Sequence, residues 1–184
     1  MEITLVIAGG VLIGCFLGLS WFAGTDAPYV PTKNERIKKL LKIAGLKKDD
    51  IFWELGSGDG RVVLEAAKMG AISYGVEQSW IRVLYSRWKA KKPGIRNAYF
   101  IHGDIFKQNL SPADIIFIFL LPKGVEKLEP VLKKKLKKNA KVITQTFHFK
   151  NWQPNKKVLI SDKTPNTLLG KNKYEGDFWI YRKA

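Results

Sequence analysis

The run Ile51-Phe52-Trp53-Glu54-Leu55 passes directly into Gly56-Ser57-Gly58-Asp59-Gly60 and then into helical spacing at Val62, Val63, Ala66 and Ala67, closed by Gly70. A short apolar run bounded by glycines reads as a strand buried on both faces. A strand that turns tightly into a helix predicts a parallel strand next. The pattern recurs: Ile72 to Val76 is a second strand, and Ser79 caps a helix whose apolar side carries Trp80, Ile81, Leu84, Tyr85 and Trp88 before Pro93-Gly94 stops it. Ala98 to Ile101, Asp114 to Leu120 and Lys141 to Phe147 read as further strands with connections long enough for crossovers. Val125, Leu128, Leu132 and Leu136 mark a helix that Pro130 is expected to break or kink. With Val158 to Ile160 and Phe178 to Tyr181 added, the chain is expected to form a seven-stranded, mostly parallel α/β sheet flanked by helices.

The N-terminus follows a different rule. From Ile3 to Ala23 no charged residue occurs across 21 positions, enough helix to cross about 30 Å of hydrocarbon. Residues 1–25 are therefore expected to be a transmembrane anchor and 26–184 the α/β domain behind it. A cleaved signal peptide fits less well, because Glu2 stands where a basic n-region belongs. The chain carries 32 Lys and Arg against 16 Asp and Glu, and all of the excess follows Glu2, so the positive-inside rule places that remainder in the cytoplasm of a single-pass protein. Gly10, Gly14 and Gly18 fall on one helix face, where another helix could approach closely. After a linker at Asp26 to Pro31, Thr32 and Glu35 match a capping box, with Ile37, Leu40, Leu41 and Ala44 as the packed face and Gly45 as the C-terminal stop.

Several chemistries are excluded early. The one cysteine, Cys15, lies in the apolar segment, so no disulfide within the chain and no thiolate cluster can form. His102 and His148 lack ligand spacing, and no metal site is expected. With 46% hydrophobic residues the chain is too apolar for disorder despite its charge.

The glycine loop lies where an open α/β sheet binds ligand, at the carboxyl edge of its strands. A dinucleotide fingerprint needs G-x-G-x-x-G, yet the third glycine comes one position early and Arg61 occupies its place. No G-K-[ST] follows, which excludes a P-loop. The tight E-x-G-x-G-x-G admits close backbone approach by a nucleotide-like ligand, with Glu54 near an amino group. Glu77 ends the second strand, 21 residues after Gly56, where a carboxylate can accept both ribose hydroxyls. Asp104 follows the third strand and can receive an adenine amino group.

These acids on three successive strands make the chain resemble the class I S-adenosylmethionine methyltransferases, with a Rossmann-like sheet. PYVPT at 28–32, ELGSGDGRVV at 54–63, GVE at 75–77, Leu121-Pro122, and FHFKNWQP at 147–154 narrow the likeness. It is to the membrane-anchored protein-lysine methyltransferases of the adenine nucleotide translocase and ATP synthase c subunit, with their archaeal non-SET relatives. The resemblance implies a cofactor site of Tyr29, Thr32, Glu54, Gly56, Ser57, Gly58, Asp59, Gly60, Glu77, Gln78, Gly103, Asp104, Ile105 and Leu120. The family's first acid is commonly aspartate; here it is Glu54.

Methyl transfer to a lysine needs a neutral amine in an apolar pocket, and Leu121, Pro122, Phe147, Phe149 and Trp152 are expected to shape that channel. Tyr29 and His148 are the candidate proton acceptors. The place of a [DNS]-P-P-[YFW] motif reads Phe119-Leu120-Leu121-Pro122, which disfavours transfer to adenine or glutamine nitrogen. A membrane-protein substrate is the expected partner, with anionic lipid a second contact for the lysine-rich surface and nucleic acid disfavoured. A methyltransferase for RNA, lipid or a small amine, and a non-catalytic cofactor-binding module, are the alternatives.

Overall fold

Strand β1 (Ile51–Leu55) sits at the centre of the sheet because its residues are apolar on both sides. Phe52 packs with one core cluster, and Trp53 and Leu55 with the opposite one. The computed structural model describes residues 2–22, 32–160 and 177–184. β2 (Ile72–Glu77), β3 (Ala98–His102), β4 (Ile115–Ile118), β5 (Lys141–Gln145), β6 (Lys156–Val158) and β7 (Phe178–Arg182) complete one seven-stranded sheet in the order β3-β2-β1-β4-β5-β7-β6. β1 to β5 run parallel, and β7 pairs antiparallel with β5 and β6. The expected mostly parallel sheet is present. The chain leaves β1 toward β2 on one side and returns to β4 on the other, so the order reverses at the carboxyl end of β1.

Helices α1 (Glu2–Phe22), α2 (Asn34–Ala44), α3 (Arg61–Lys68), α4 (Trp80–Lys91) and α5 (Pro122–Lys135) surround it. α2 and α3 cover one face through Ile37, Leu40, Leu41, Val62 and Ala66 on Phe52, Phe117 and Ile143. α5 covers the other through Val125, Leu128 and Leu132 on Ile116, Ile118 and Val142. α4 joins the first side through Val83 and Ala90, which cluster with Val63 and Phe100.

Local expectations are corrected in four places. The capping box does not form: α2 starts at Asn34 after Lys33, and the Thr32 hydroxyl instead donates to Gln145 Oε1 on β5 (2.9 Å). Gly45 does close the helix in the left-handed region. Pro130 does not break α5; it lies exposed inside an uninterrupted helix, where the carbonyl it leaves without an amide partner can face water. The connection from β3 to β4 has only a 3₁₀ turn, Ile105–Lys107, and no crossover helix. On that side a stacked row of rings, Trp53 on Tyr74 (4.8 Å) and Tyr74 on Tyr99 (5.1 Å), runs across three strands in register.

The fourth correction is the apolar side of α4. Trp80, Leu84, Tyr85 and Trp88 face outward, while Arg82, Val83, Ser86 and Ala90 are buried. The inner face is chosen by polar partners: Ser86 Oγ donates to the Gly58 carbonyl (3.4 Å), and Arg82 reaches Glu77 (3.9 Å).

The N-terminal segment is helical, but among the described residues no helix is long and apolar enough to cross a membrane. The transmembrane expectation thus gains no support from the fold. A Cβ at Gly10, Gly14 or Gly18 would meet nothing within 4 Å. The linker at 26–31 lies outside the described residues.

Glu129 on α5 ties down the segment after β5: it accepts from Lys133 Nζ (2.9 Å) and from the Lys150 and Asn151 amides (both 3.1 Å). Burial pushes its carboxyl up, but these donors more than offset that and hold it below the ordinary 4.5. Its contribution to stability is therefore complete above that pH and lost as pH falls through the lower folded value. Glu129→Gln is expected to cost about 1–3 kcal/mol at pH 7 and to flatten the acid side of the stability profile, read by urea unfolding at pH 7 and pH 4. Wild-type stability at pH 7 would contradict this.

Candidate active site

The loop from β1 to α3 is held in place by backbone geometry. Gly56, Gly58 and Gly60 have φ of +85°, +52° and +74°. A Cβ on Gly56 would sit 3.0 Å from Leu120 Cδ2, and one on Gly60 would sit 2.5 Å from the Phe100 ring. Side chains are excluded on both counts. The Gly56 and Ser57 amides both donate to the Val76 carbonyl (2.9 Å), fastening the loop to the end of β2.

Glu77, at the end of β2, organises the other side. Its carboxylate accepts from the Gly58 amide (2.9 Å) and the Ser79 amide (2.9 Å), with Arg82 Nη1 at 3.9 Å. Glu77 is thus part of the framework as well as a ligand candidate. Asp59 is engaged by the protein's own cations, Arg61 Nε and Nη2 (both 2.9 Å) and Lys89 Nζ (3.0 Å). Burial pushes its carboxyl up, yet these two cations prevail and hold it below the ordinary range. Arg61 also donates to the Thr32 carbonyl (3.2 Å), so the residue that breaks the dinucleotide pattern links the chain before α2 to the loop. Glu54 is buried and accepts only a long bond from the Val63 amide (3.3 Å) among its described contacts. Burial, then the neighbouring Asp59, push its carboxyl well up from the ordinary value.

These groups border a cavity of about 750 Å³ at the carboxyl edge of β1, β2 and β4. Of the expected residues, Thr32, Glu54, Gly56, Ser57, Gly58, Asp59, Glu77, Gln78, Ile105, Leu120, Leu121 and Pro122 line it. Gly60, Gly103 and Asp104 stand outside its wall. Asp104 Oδ1 accepts from the Phe106 amide (2.9 Å), and Gly103 donates its amide to the Glu77 carbonyl (3.1 Å). Phe147, Phe149 and Trp152 do not line the cavity. Phe149 is buried, stacked on Trp152 (5.5 Å), and its amide donates to Tyr181 Oη (3.1 Å). His148 is exposed beside Trp179 (5.3 Å) and is not in the wall. Tyr29 lies outside the described residues. Arg82, Phe106, Phe119, Lys123 and Lys127 line the cavity without having been expected there. The helical start after Leu121-Pro122 was the available signal for Lys123 and Lys127; nothing local marked Arg82.

The strand order, the glycine loop and an acid ending β2 define a class I S-adenosylmethionine-dependent methyltransferase. Residues 54–156 match the family model of the ANTKMT methyltransferase domain, and the chain belongs to that family. It is 33% identical to a protein-lysine N-methyltransferase of Saccharolobus islandicus over 76% of this chain and 88% of that protein. It is also 33% identical to the human lysine N-methyltransferase named for the ATP synthase c subunit, over 80% of this chain and 66% of that one. Among solved structures, an RNA methyltransferase from Salinibacter ruber in complex with S-adenosyl-L-homocysteine superposes with a TM-score of 0.70 at 31% identity, covering 84% of this chain and 92% of that one. The cofactor is S-adenosylmethionine, and the residues present fit it: a cradle at Gly56 that a side chain would fill, and two carboxylates suited to an ammonium and a diol.

Gly56→Ala combines an unfavourable φ, about 1–2 kcal/mol for an L-residue, with contact on Leu120. Cofactor affinity is expected to fall at least tenfold in calorimetry, about 1.4 kcal/mol or more. Unchanged affinity would contradict the cradle.

Proposed function

We propose that this methyltransferase acts on the ε-amino group of a lysine in a membrane protein. The observation that carries the reading is the likeness to two lysine methyltransferases, which extends beyond the cofactor loop over most of the domain. The apolar lip of the cavity, Phe106, Phe119, Leu120, Leu121 and Pro122, agrees with it. When bound, the cofactor would supply an electrophilic methyl to the amine nitrogen, with its sulfur as the leaving group that keeps the bonding pair and the amine proton lost from the product.

The protein's own task is to hold Glu77 toward the ribose, leave Glu54 for the ammonium of the amino-acid end, and receive a neutral amine. The lip removes water from an incoming lysine, which lowers its pKa. Lys123 and Lys127 add positive potential at the cavity wall, which disfavours the protonated amine further. His148 stands outside the cavity wall, which in this reading leaves Tyr29 or solvent to take the proton. Phe149 and Trp152 pack on each other and on Tyr181 of β7.

The uncharged run Ile3 to Ala23 is proposed as the single membrane pass, with the basic domain on the cytoplasmic side. The domain would then work beside its substrate, raising effective concentration. A second reading, methylation of RNA, draws on the activity for which the Salinibacter protein is named and on the net charge of +16.

Tritiated methyl transfer into host extract, fractionated into membrane protein, soluble protein, RNA and lipid, distinguishes these. Label is expected on lysine of a membrane-protein band. Removal of residues 1–25 is expected to reduce that label at least tenfold while cofactor affinity stays the same. Label confined to RNA would replace the lysine reading, and equal labelling of membranes by both forms would discard the tether.

A further inference from the structure

The outward side of α4 is the least expected surface of the domain. Trp80, Leu84, Tyr85 and Trp88 are 48%, 51%, 40% and 57% exposed, and they recur at i, i+4, i+5 and i+8 to form one stripe. These exposures are those with α1 in contact with α4, so Trp80, Leu84 and Trp88 keep about half of their surface open beside it. The inner side of the helix is committed to Glu77 and the glycine loop through Arg82 and Ser86, and this forces the rings outward.

We propose that this face of α4 rests in the headgroup layer of an anionic bilayer and turns the mouth of the active site toward that surface. Trp and Tyr flanking an aliphatic residue are the side chains that partition to a membrane interface. Charge selects the same partner. From Gln78 to Gly103 the chain contains no Asp or Glu, while Lys91, Lys92 and Arg96 stand exposed at the end of the helix, Lys92 over the Trp88 ring (5.7 Å). A basic rim around an apolar stripe is complementary to anionic lipid. The same rim opposes a second copy, because a two-fold contact would set these cations against themselves.

The stripe also has a direction. Its first residue, Trp80, follows the cavity-lining Gln78 by two positions, so docking at about 5–10 Å depth would hold that edge of the cavity near the headgroup layer. The orienting role rests on the membrane reading proposed above; the lipid contact has its own test.

The full chain is mixed with phosphatidylcholine vesicles containing phosphatidylglycerol and brominated acyl chains, and flotation and tryptophan quenching are both recorded. Leu84→Glu, an exposed position outside the cavity, is compared with the wild type, with cofactor affinity as the folding control. Both proteins are expected to float, and the substitution is expected to lower quenching about twofold or more. Equal quenching of two floating proteins would overturn the α4 contact alone, as would a dimer in detergent that Leu84→Glu dissolves. Failure of the wild type to float would overturn the anchor and the contact together.

Discussion

The carboxylate of Glu77 is the junction on which the site is assembled. It accepts the Gly58 amide from the loop after β1 and the Ser79 amide at the start of α4, and it draws Arg82 toward it from within that helix. The loop after β1, the end of β2 and the start of α4 thus meet at one buried acid. Charge-assisted bonds from the two amides are stronger than neutral ones, and Arg82 adds an ion pair at 3.9 Å, which matters for a loop that holds three glycines at positive φ. The consequence reaches the surface, because turning Arg82 and Ser86 inward turns Trp80, Leu84 and Trp88 outward.

The three acids of the cavity are not equivalent. Asp59 is neutralised by Arg61 and Lys89, and Glu77 lies beside Arg82. Glu54 makes no ion pair among the described residues, and burial with Asp59 nearby pushes its carboxyl up. A cation arriving beside Glu54 relieves that penalty, which suits the ammonium of an amino acid better than any neutral ligand. The cavity thus joins a carboxylate without an ion-pair partner among the described residues to an apolar wall of Phe119, Leu120 and Leu121.

Much of this was legible because it rests on local rules. Apolar runs ended by glycines located the strands, and Glu54, Gly56 and Glu77 were placed by the turn chemistry of a sheet edge. Residues whose role depends on distant partners were not legible. Thr32 satisfied a capping pattern yet donates to Gln145, 113 residues away. Phe149 and Trp152 had the composition of a binding lip but pack on Tyr181. The apolar periodicity of α4 gave the correct helix and the wrong inward face, because the buried side is filled by Arg82 and Ser86 on Glu77 and the loop and by Val83 and Ala90 on Val63 and Phe100.

The central role of Glu77 is tested most directly by calorimetric titration of S-adenosylmethionine into the wild type and Glu77→Gln, with thermal unfolding of each measured alongside. The amide keeps the size of the side chain but removes the charge that faces Arg82 and one acceptor of the pair offered to a diol. A cooperative unfolding transition is expected in both proteins, with at least a tenfold loss of affinity in the variant, about 1.4 kcal/mol or more. Wild-type affinity in Glu77→Gln would contradict that role.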